Sequence, residues 1–272
     1  MKDILGNFLR TTPRFRGKWR LQRVWERFAA ASGKRMALLP DGSTVDVEMG
    51  IPYERMVWLQ AEEWHELQCL QYRLRPNETF VDVGANLGLW TLVAASTVGA
   101  GGKVFSFEPN PTTFRKLAAN IARHEQGAIV TAFPQAVSRE NGSVSFHCAA
   151  EHNLSAIADA PGSGDTVSVV AVSLDSALCG VKVAGIKIDT EGHEIATLEG
   201  ASRTIEESSP WLIVEFNTTL LASPVLGDWP VYRHLVSLGY RPFTYQGPRE
   251  ATAVAETLSV SGYCNILFQR GR

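Results

Sequence analysis

Three polar clusters interrupt a sequence that otherwise alternates between short apolar runs and helical patterns. The first is Asp82-Val-Gly84-Ala-Asn86-Leu-Gly88, placed between the apolar run Thr79-Phe-Val and a small-residue helical stretch ending near Thr97. Glycine at 84 and 88 lets the chain turn tightly and bring its backbone against a ligand, because a Cβ would collide there. Glu108 closes the next apolar run, 24 residues after Gly84, where a carboxylate can accept both hydroxyls of a ribose. That combination predicts an adenosine-type cofactor. A dinucleotide fingerprint needs Gly-x-Gly-x-x-Gly, but Asn86 stands at the second glycine; a Walker loop needs Gly-Lys-Ser/Thr, which is absent. Asp82 would repel a pyrophosphate yet suits the ammonium of a methionine moiety, so S-adenosylmethionine is the natural reading.

The second cluster, Lys187-Ile-Asp189-Thr-Glu191-Gly192-His193-Glu194, ends another apolar run. Acidic residues at a helix start are ordinary caps, and that role suffices for Glu194. Asp189, still on the strand, and Glu191 with its neighbour His193 are more polar than a cap requires. The third cluster, Glu215-Phe-Asn217, closes the run that begins at Trp211. A solvated strand exit explains it as well as a role in the site does. Were such a cofactor's methyl group moved to a hydroxyl, the step would be an in-line displacement, and because an alcohol is a poor nucleophile a base or a metal would have to help remove its proton. Glu191 or His193 is the expected base, with Asp189 orienting it. The rival is a Mg²⁺ site built by Asp189, Glu191, Glu215 and Asn217, since oxygen ligands suit that hard cation, although such a metal is not expected to be essential. His147 and His152 read as bystanders, with His152 and Asn153 near enough to a polar loop at 151–165 to touch substrate.

The elements that position these clusters follow from the apolar pattern. A hairpin turns at Asp41-Gly42, and residues 53–75 read as one helix carrying Trp58, Trp64, Leu67 and Leu70. Strands are expected at 79–84, 103–108, 129–133, 185–189 and 211–216, with helices at 109–123, 194–207 and 230–238 between them. Two antiparallel pieces fall at 143–148 and 167–172, and a closing pair at 240–245 and 263–268. Strands spaced by helices imply crossover connections and a parallel sheet, which binds ligands outside the strand C-termini. The chain has 272 residues, 45% hydrophobic and 20% charged, enough for a sizeable core and against wholesale disorder. No apolar stretch reaches the length of a membrane span, and no secretory leader is visible. Cys69, Cys148, Cys179 and Cys264 lie too far apart to suggest zinc or a disulfide framework, and read as reduced thiols of a cytoplasmic protein. Residues 1–36 carry ten Lys or Arg against Asp3 and Glu26, so a basic arm precedes an acidic body. An amphipathic helix over about 18–29 is expected there, either packed on the body or lying on an anionic membrane surface.

Phe80-Val-Asp-Val-Gly-Ala-Asn-Leu-Gly-Leu-Trp-Thr91, Phe107-Glu-Pro109, Leu174-Asp175, Ile186-Lys-Ile-Asp-Thr-Glu-Gly-His-Glu194 and Val214-Glu215 resemble the FkbM family of S-adenosylmethionine-dependent methyltransferases, in order and spacing, from about 78 to 217. The resemblance implies an α/β, Rossmann-like methyltransferase fold: a mostly parallel seven-stranded sheet with a reversed last strand at Tyr263–Phe268. It places that domain at 51–272, behind a basic extension and hairpin at 1–50. It implies O-methylation, on sugar hydroxyls of glycans or glycolipids or on polyketide-type metabolites. By position, Asp82, Gly84, Asn86 and Gly88 would line the methionine part and Glu108 the ribose. Pro109 and Asn110 would flank the adenine, Ala136 and Val137 would hold its edge, and Asp189, Glu191 and His193 would face the methyl group. A different class stays open, a non-catalytic cofactor-binding module that docks on membranes through the arm. No nucleic-acid motif appears, so no nucleic-acid partner is expected.

Overall fold

The computed structural model of the chain describes residues 33–61, 63–147, 166–245 and 251–271, with Gly6, Phe8, Leu9, Trp25, Ala156, Ile157, Gly247 and Arg249. Apart from Trp25, the helix expected over 18–29 lies outside these residues, as do His152, Asn153 and nearly all of the 151–165 loop. The chain opens with the hairpin β1 (Lys34–Leu38) and β2 (Thr44–Glu48), then α1 (Pro52–Trp58) and α2 (Trp64–Arg73). Next come β3 (Thr79–Val83), α3 (Leu89–Val98), β4 (Lys103–Phe107), α4 (Pro111–Ala122) and β5 (Val130–Phe133). A side group follows: β6 (Ala136–Val137), β7 (Gly142–His147), β8 (Ala156–Ile157) and β9 (Thr166–Val172). The last part holds α5 (Leu174–Ala177), β10 (Gly185–Ile188), α6 (Glu194–Glu199), α7 (Ser202–Ser208), β11 (Trp211–Asn217), α8 (Pro230–Ser237), β12 (Tyr240–Tyr245), β13 (Ala251–Ala253) and β14 (Tyr263–Arg270).

Short apolar strands separated by helices bury both faces only in the middle of a parallel sheet. Accordingly β5, β4, β3, β10 and β11 lie side by side and parallel, and β14 enters antiparallel to β11 before pairing with β12. The mostly parallel sheet with a reversed last strand is as expected. An eighth strand, β13, caps the edge against β12. Side chains alternate across this sheet with period two. Phe80, Ile213 and Leu267 join the core beneath the hairpin, α2 and α3, whereas Val81, Ile186, Val214 and Phe268 join the opposite core under α5 to α8. Chain direction reverses its path between β3 and β10: one half of the sheet runs outward from β3 through β4 to β5, the other from β10 to β11. That switch point is where an open α/β sheet leaves a crevice.

Two expected helices are each divided. The one over 53–75 breaks between Trp58 and Trp64, with Gln60 and Glu63 at positive φ. No proline or glycine marks the break; Trp58 and Leu59 are buried in the core, and Trp58 stacks on Trp25 at 5.6 Å. Tertiary packing has overridden helix propensity there. The helix over 194–207 breaks at Gly200-Ala201, where Asp175 accepts hydrogen bonds from the backbone N–H of Arg203 and Thr204 at 2.9 and 2.8 Å.

Candidate active site

The switch point is held shut from below by Lys187. In register, Lys187 sits opposite Asp82 on the same face of neighbouring strands. Its ammonium donates to the carbonyl of Gly84 at 2.8 Å and lies 3.1 Å from Asp189 and 3.9 Å from Asp82. Burial alone would lower the pKa of this lysine; the fields of Asp189, Asp82 and Glu63 outweigh that and raise it. Asp82 is completely buried, and its carboxylate accepts from the Thr91 hydroxyl at 2.6 Å, which in turn meets the Ser106 hydroxyl at 2.8 Å. Desolvation nevertheless raises the pKa of Asp82, offset by Lys187 and Thr91. Asp82 therefore faces α3 and does not line the cleft, contrary to the expectation that it would meet a methionine ammonium directly. Gly88 also lies off the cleft, against Leu117 of α4.

Above the lysine, Gly84 adopts φ 76°, and a Cβ there would lie 1.8 Å from the carbonyl oxygen of Asp189. The two strand ends touch backbone to backbone, so it is the Asp189 carbonyl, and not the expected ligand, that a Cβ at Gly84 would strike. Beside this contact opens a cleft of about 150 Å³. One wall carries Gly84, Asn86, Glu108, Pro109, Ala136 and Val137, all named from the sequence as cofactor contacts. Glu108 is fixed by accepting from the backbone N–H of Asn86 at 2.9 Å and of Asn110 at 2.8 Å. Burial pushes its carboxyl up to about 7 against those two bonds. Asn86 Oδ1 is buried without a hydrogen-bond partner among the described residues. Asn110 is buried and caps α4 by accepting from Thr112 and Thr113, so its side chain serves the helix.

The other wall is acidic. Asp189, Glu191 and Glu215 offer carboxylate oxygens that all lie within 4.8 Å of one another. Glu191, at φ 50°, accepts from the Asn217 amide at 3.2 Å; burial, then Asp189 and Glu194, push it up to about 8. Glu215 is raised to about 10, by burial and then by Asp189 and Glu191. Like charges at such separations, with burial, disfavour the ionised forms of Glu191 and Glu215. Glu194 turns inward and accepts from the Gly192 and Thr190 backbone N–H groups, which precede α6, so it braces the turn before the helix and makes no side-chain cap on the helix itself, contrary to expectation. His193 is placed elsewhere. At the start of α6 its Nε2 lies 2.9 Å from the Ser138 hydroxyl, and the ring does not line the cleft. Of the two expected bases, only Glu191 reaches it.

Further contributors escaped the sequence reading. Tyr53 of α1 and Glu63 at the head of α2 come from the N-terminal side, Tyr263 and Asn265 from β14, and Phe146 from β7. Glu63 stands at φ 52° and accepts from the Trp90 indole N–H at 3.0 Å; burial pushes its carboxyl up to about 7. Asn217 and Tyr263 are cross-strand partners, as are Glu215 and Asn265, so these four side chains share one face at the ends of β11 and β14. A signal existed for β14: antiparallel pairing brings its first residues, not its last, to the ligand edge.

The strand order and the cleft at its switch point define a Rossmann-like methyltransferase fold. Residues 82–241, more than half of the chain, match the Methyltransferase FkbM domain, and the chain belongs to that family. Hexuronic acid methyltransferase AglP of Haloferax volcanii is 29% identical over 159 residues, covering 56% of this chain and 61% of that protein. The chain thus spans less than two thirds of the length of this curated relative. Among solved structures it is similar to methyltransferase FkbM of Methylobacillus flagellatus (TM-score 0.48, 18% identity, 79% of this chain and 54% of that one). Another is the O-methyltransferase TomG of Streptomyces achromogenes, solved in complex with SAM (TM-score 0.44, 11% identity, 76% of this chain and 81% of that one). Among the described residues no helix is long and apolar enough to cross a membrane.

Proposed function

We propose that the protein transfers a methyl group from S-adenosylmethionine to a hydroxyl of a sugar in a glycan or glycolipid. The observation that carries this reading is the Gly84–Asp189 contact, with an adenosine-compatible wall on one side and a proton-accepting wall on the other. Glu108 would accept the ribose hydroxyls through the lone pairs its two backbone bonds leave over. Asn86 Oδ1 would take a donor from the cofactor, which answers its orphaned state. Pro109, Ala136 and Val137 would border the base. Among the described residues no lysine or arginine lines this wall, which suits a cofactor without phosphates.

When bound, S-adenosylmethionine supplies an electrophilic methyl carbon: the new bond to the acceptor oxygen forms as the carbon–sulfur bond breaks, leaving neutral S-adenosylhomocysteine. The chain must hold the acceptor hydroxyl in line and take its proton. Glu191 is the group placed to receive it, since it lines the cleft beside Asp189 and its carboxylate is oriented by Asn217. Asp189 is a positioning residue, itself fixed by Lys187. A second reading uses the same three carboxylates to hold Mg²⁺, as oxygen donors at this spacing would. Methyl transfer from labelled S-adenosylmethionine to a glycan library tests the function, and the same assay in EDTA separates the two mechanisms. Persisting activity rules out an essential exchangeable metal and favours a side-chain base; abolished activity restored by Mg²⁺ assigns the cluster to a metal. No transfer to any hydroxyl in the library, by folded protein that binds the cofactor, contradicts the proposal.

A further inference from the structure

Another cavity lies on the α2 side of the sheet and shares no lining residue with the cleft. It is open to solvent, holds about 470 Å³ and is lined by Cys69, Tyr72, Arg73, Tyr245 and Arg249. Positions 69, 72 and 73 fall on one face of α2. Phe243 and Leu267 are cross-strand partners in the core under that helix, so by the two-residue alternation Tyr245 and Gln269 point to it as well. The Cys69 thiol donates to the Gly247 carbonyl at 3.3 Å, which ties the turn between β12 and β13 to α2. That turn carries Arg249 onto the Tyr72 ring, 4.4 Å from guanidinium to centroid, with an N–H donated to the phenol oxygen at 3.2 Å. Arg73 donates to the side-chain carbonyl of Gln269 at 3.0 Å.

Two arginines at a surface are not by themselves a site. Here a buried donor converges with them: the Tyr245 hydroxyl oxygen is buried and finds no hydrogen-bond partner among the described residues. A hydroxyl left so is costly, and an oxyanion reaching it would accept its hydrogen bond. Burial raises the pKa of this phenol, and the strongest charge acting on it is the Arg73 guanidinium, ahead of Cys69 and Glu66. At Cys69 the order reverses; burial and then Glu66 push the thiol up to about 12, so it stays a neutral prop. The positive end of the cavity is thus the Tyr245 end. We propose that this cavity is a phosphate site, in which Arg73, Arg249 and Tyr245 hold the oxygens of a phosphomonoester group. Each guanidinium carries five N–H donors in a fork, more than the contacts above use, and such forks meet phosphate oxygens two at a time. The phenol supplies a donor from the interior, and Tyr72 is the platform that holds Arg249. About 15 Å of α2 separates Arg73 from Glu63, so the phosphate would sit outside the cleft. A soluble phosphate ester and a lipid headgroup present the same group to these residues.

The test is calorimetric titration of the full-length protein with inorganic phosphate, at ionic strength held constant with chloride, beside flotation with phosphatidylcholine vesicles carrying phosphatidate. Saturable binding is expected in at least one arm: in the first for a soluble phosphate, in the second alone for a lipid headgroup. In that arm affinity should fall about tenfold or more in Arg73→Gln and in Arg249→Gln, and about fivefold in Tyr245→Phe. The last variant should fold, since deleting an unpartnered buried hydroxyl leaves the thermal midpoint unchanged or raises it. Absence of binding in both arms overturns the proposal. So does binding undiminished in any one of the three folded variants, which would mean that phosphate or vesicle is held elsewhere, as by the basic residues of the first 36.

Discussion

The two walls of the cleft are built by different means. On the cofactor wall the backbone does most of the positioning: Gly84 against the Asp189 carbonyl, Glu108 strapped by two main-chain N–H groups, Lys187 bonded to the Gly84 carbonyl. On the acidic wall, where the proposed function puts the acceptor, side chains do it, delivered by strand ends and a broken helix, with several acids left short of counter-charge. A backbone cradle tolerates almost no change of shape, while a side-chain wall can be re-lettered residue by residue. The first suits a ligand that never varies, the second one that does.

Substitutions should therefore separate the walls sharply. The largest effect is expected for Gly84→Ala. Its Cβ would overlap the Asp189 carbonyl at a φ that also penalises alanine, costing ~2–5 kcal/mol; calorimetry should find no S-adenosylhomocysteine binding. Lys187→Met comes next. It strands Asp82 and Asp189 in the interior, and the loss of about 3–5 kcal/mol read by urea denaturation should be greater at pH 8 than at pH 5, because protonation relieves unpaired carboxylates.

On the acceptor wall, Glu191→Gln should leave cofactor affinity nearly intact and lower kcat by about 10²–10⁴. A base must be deprotonated to act. With the Glu191 carboxyl pushed up to about 8, wild-type kcat/KM should rise with pH to a plateau above that value, and the limb should vanish in the variant. Glu63→Gln is read on stability, where its effect should be weaker. Burial carries the Glu63 carboxyl from its ordinary 4.5 to about 7, so the folded chain holds a proton the unfolded chain has released across that window. Stability falls as pH rises through it, and the glutamine variant should melt higher than wild type at pH 8 but equally at pH 4. Smallest is His193→Asn, expected to stay within a few-fold of wild-type turnover because the ring serves Ser138 and not the cleft.

The cofactor wall was legible in the sequence because its determinants are local. A strand, a Gly-x-Asn-x-Gly turn and an acid ending the next strand can all be read from spacing, and the parallel sheet follows from the helices between them. Asp82 was misplaced by the same logic. Alternation puts it opposite Lys187 and under α3, but only the third dimension shows Thr91 and Lys187 taking its charge. The acceptor wall resisted reading because it is assembled across more than 200 residues, from Tyr53 to Asn265. Glu63 carried no signal at all, since the helix break that turns it toward Trp90 is imposed by the packing of Trp58. His193 looked catalytic by adjacency, yet the turn at Glu191 and Gly192 sends consecutive side chains to different neighbours.

The division into two walls is tested most directly by calorimetric titration with S-adenosylhomocysteine of three proteins: wild type, Glu108→Gln and Tyr263→Ala. Saturable binding by wild type and Tyr263→Ala alike, weakened about tenfold or more in Glu108→Gln, is the predicted result. Silence from folded wild-type protein, or equal losses in both variants, would contradict it.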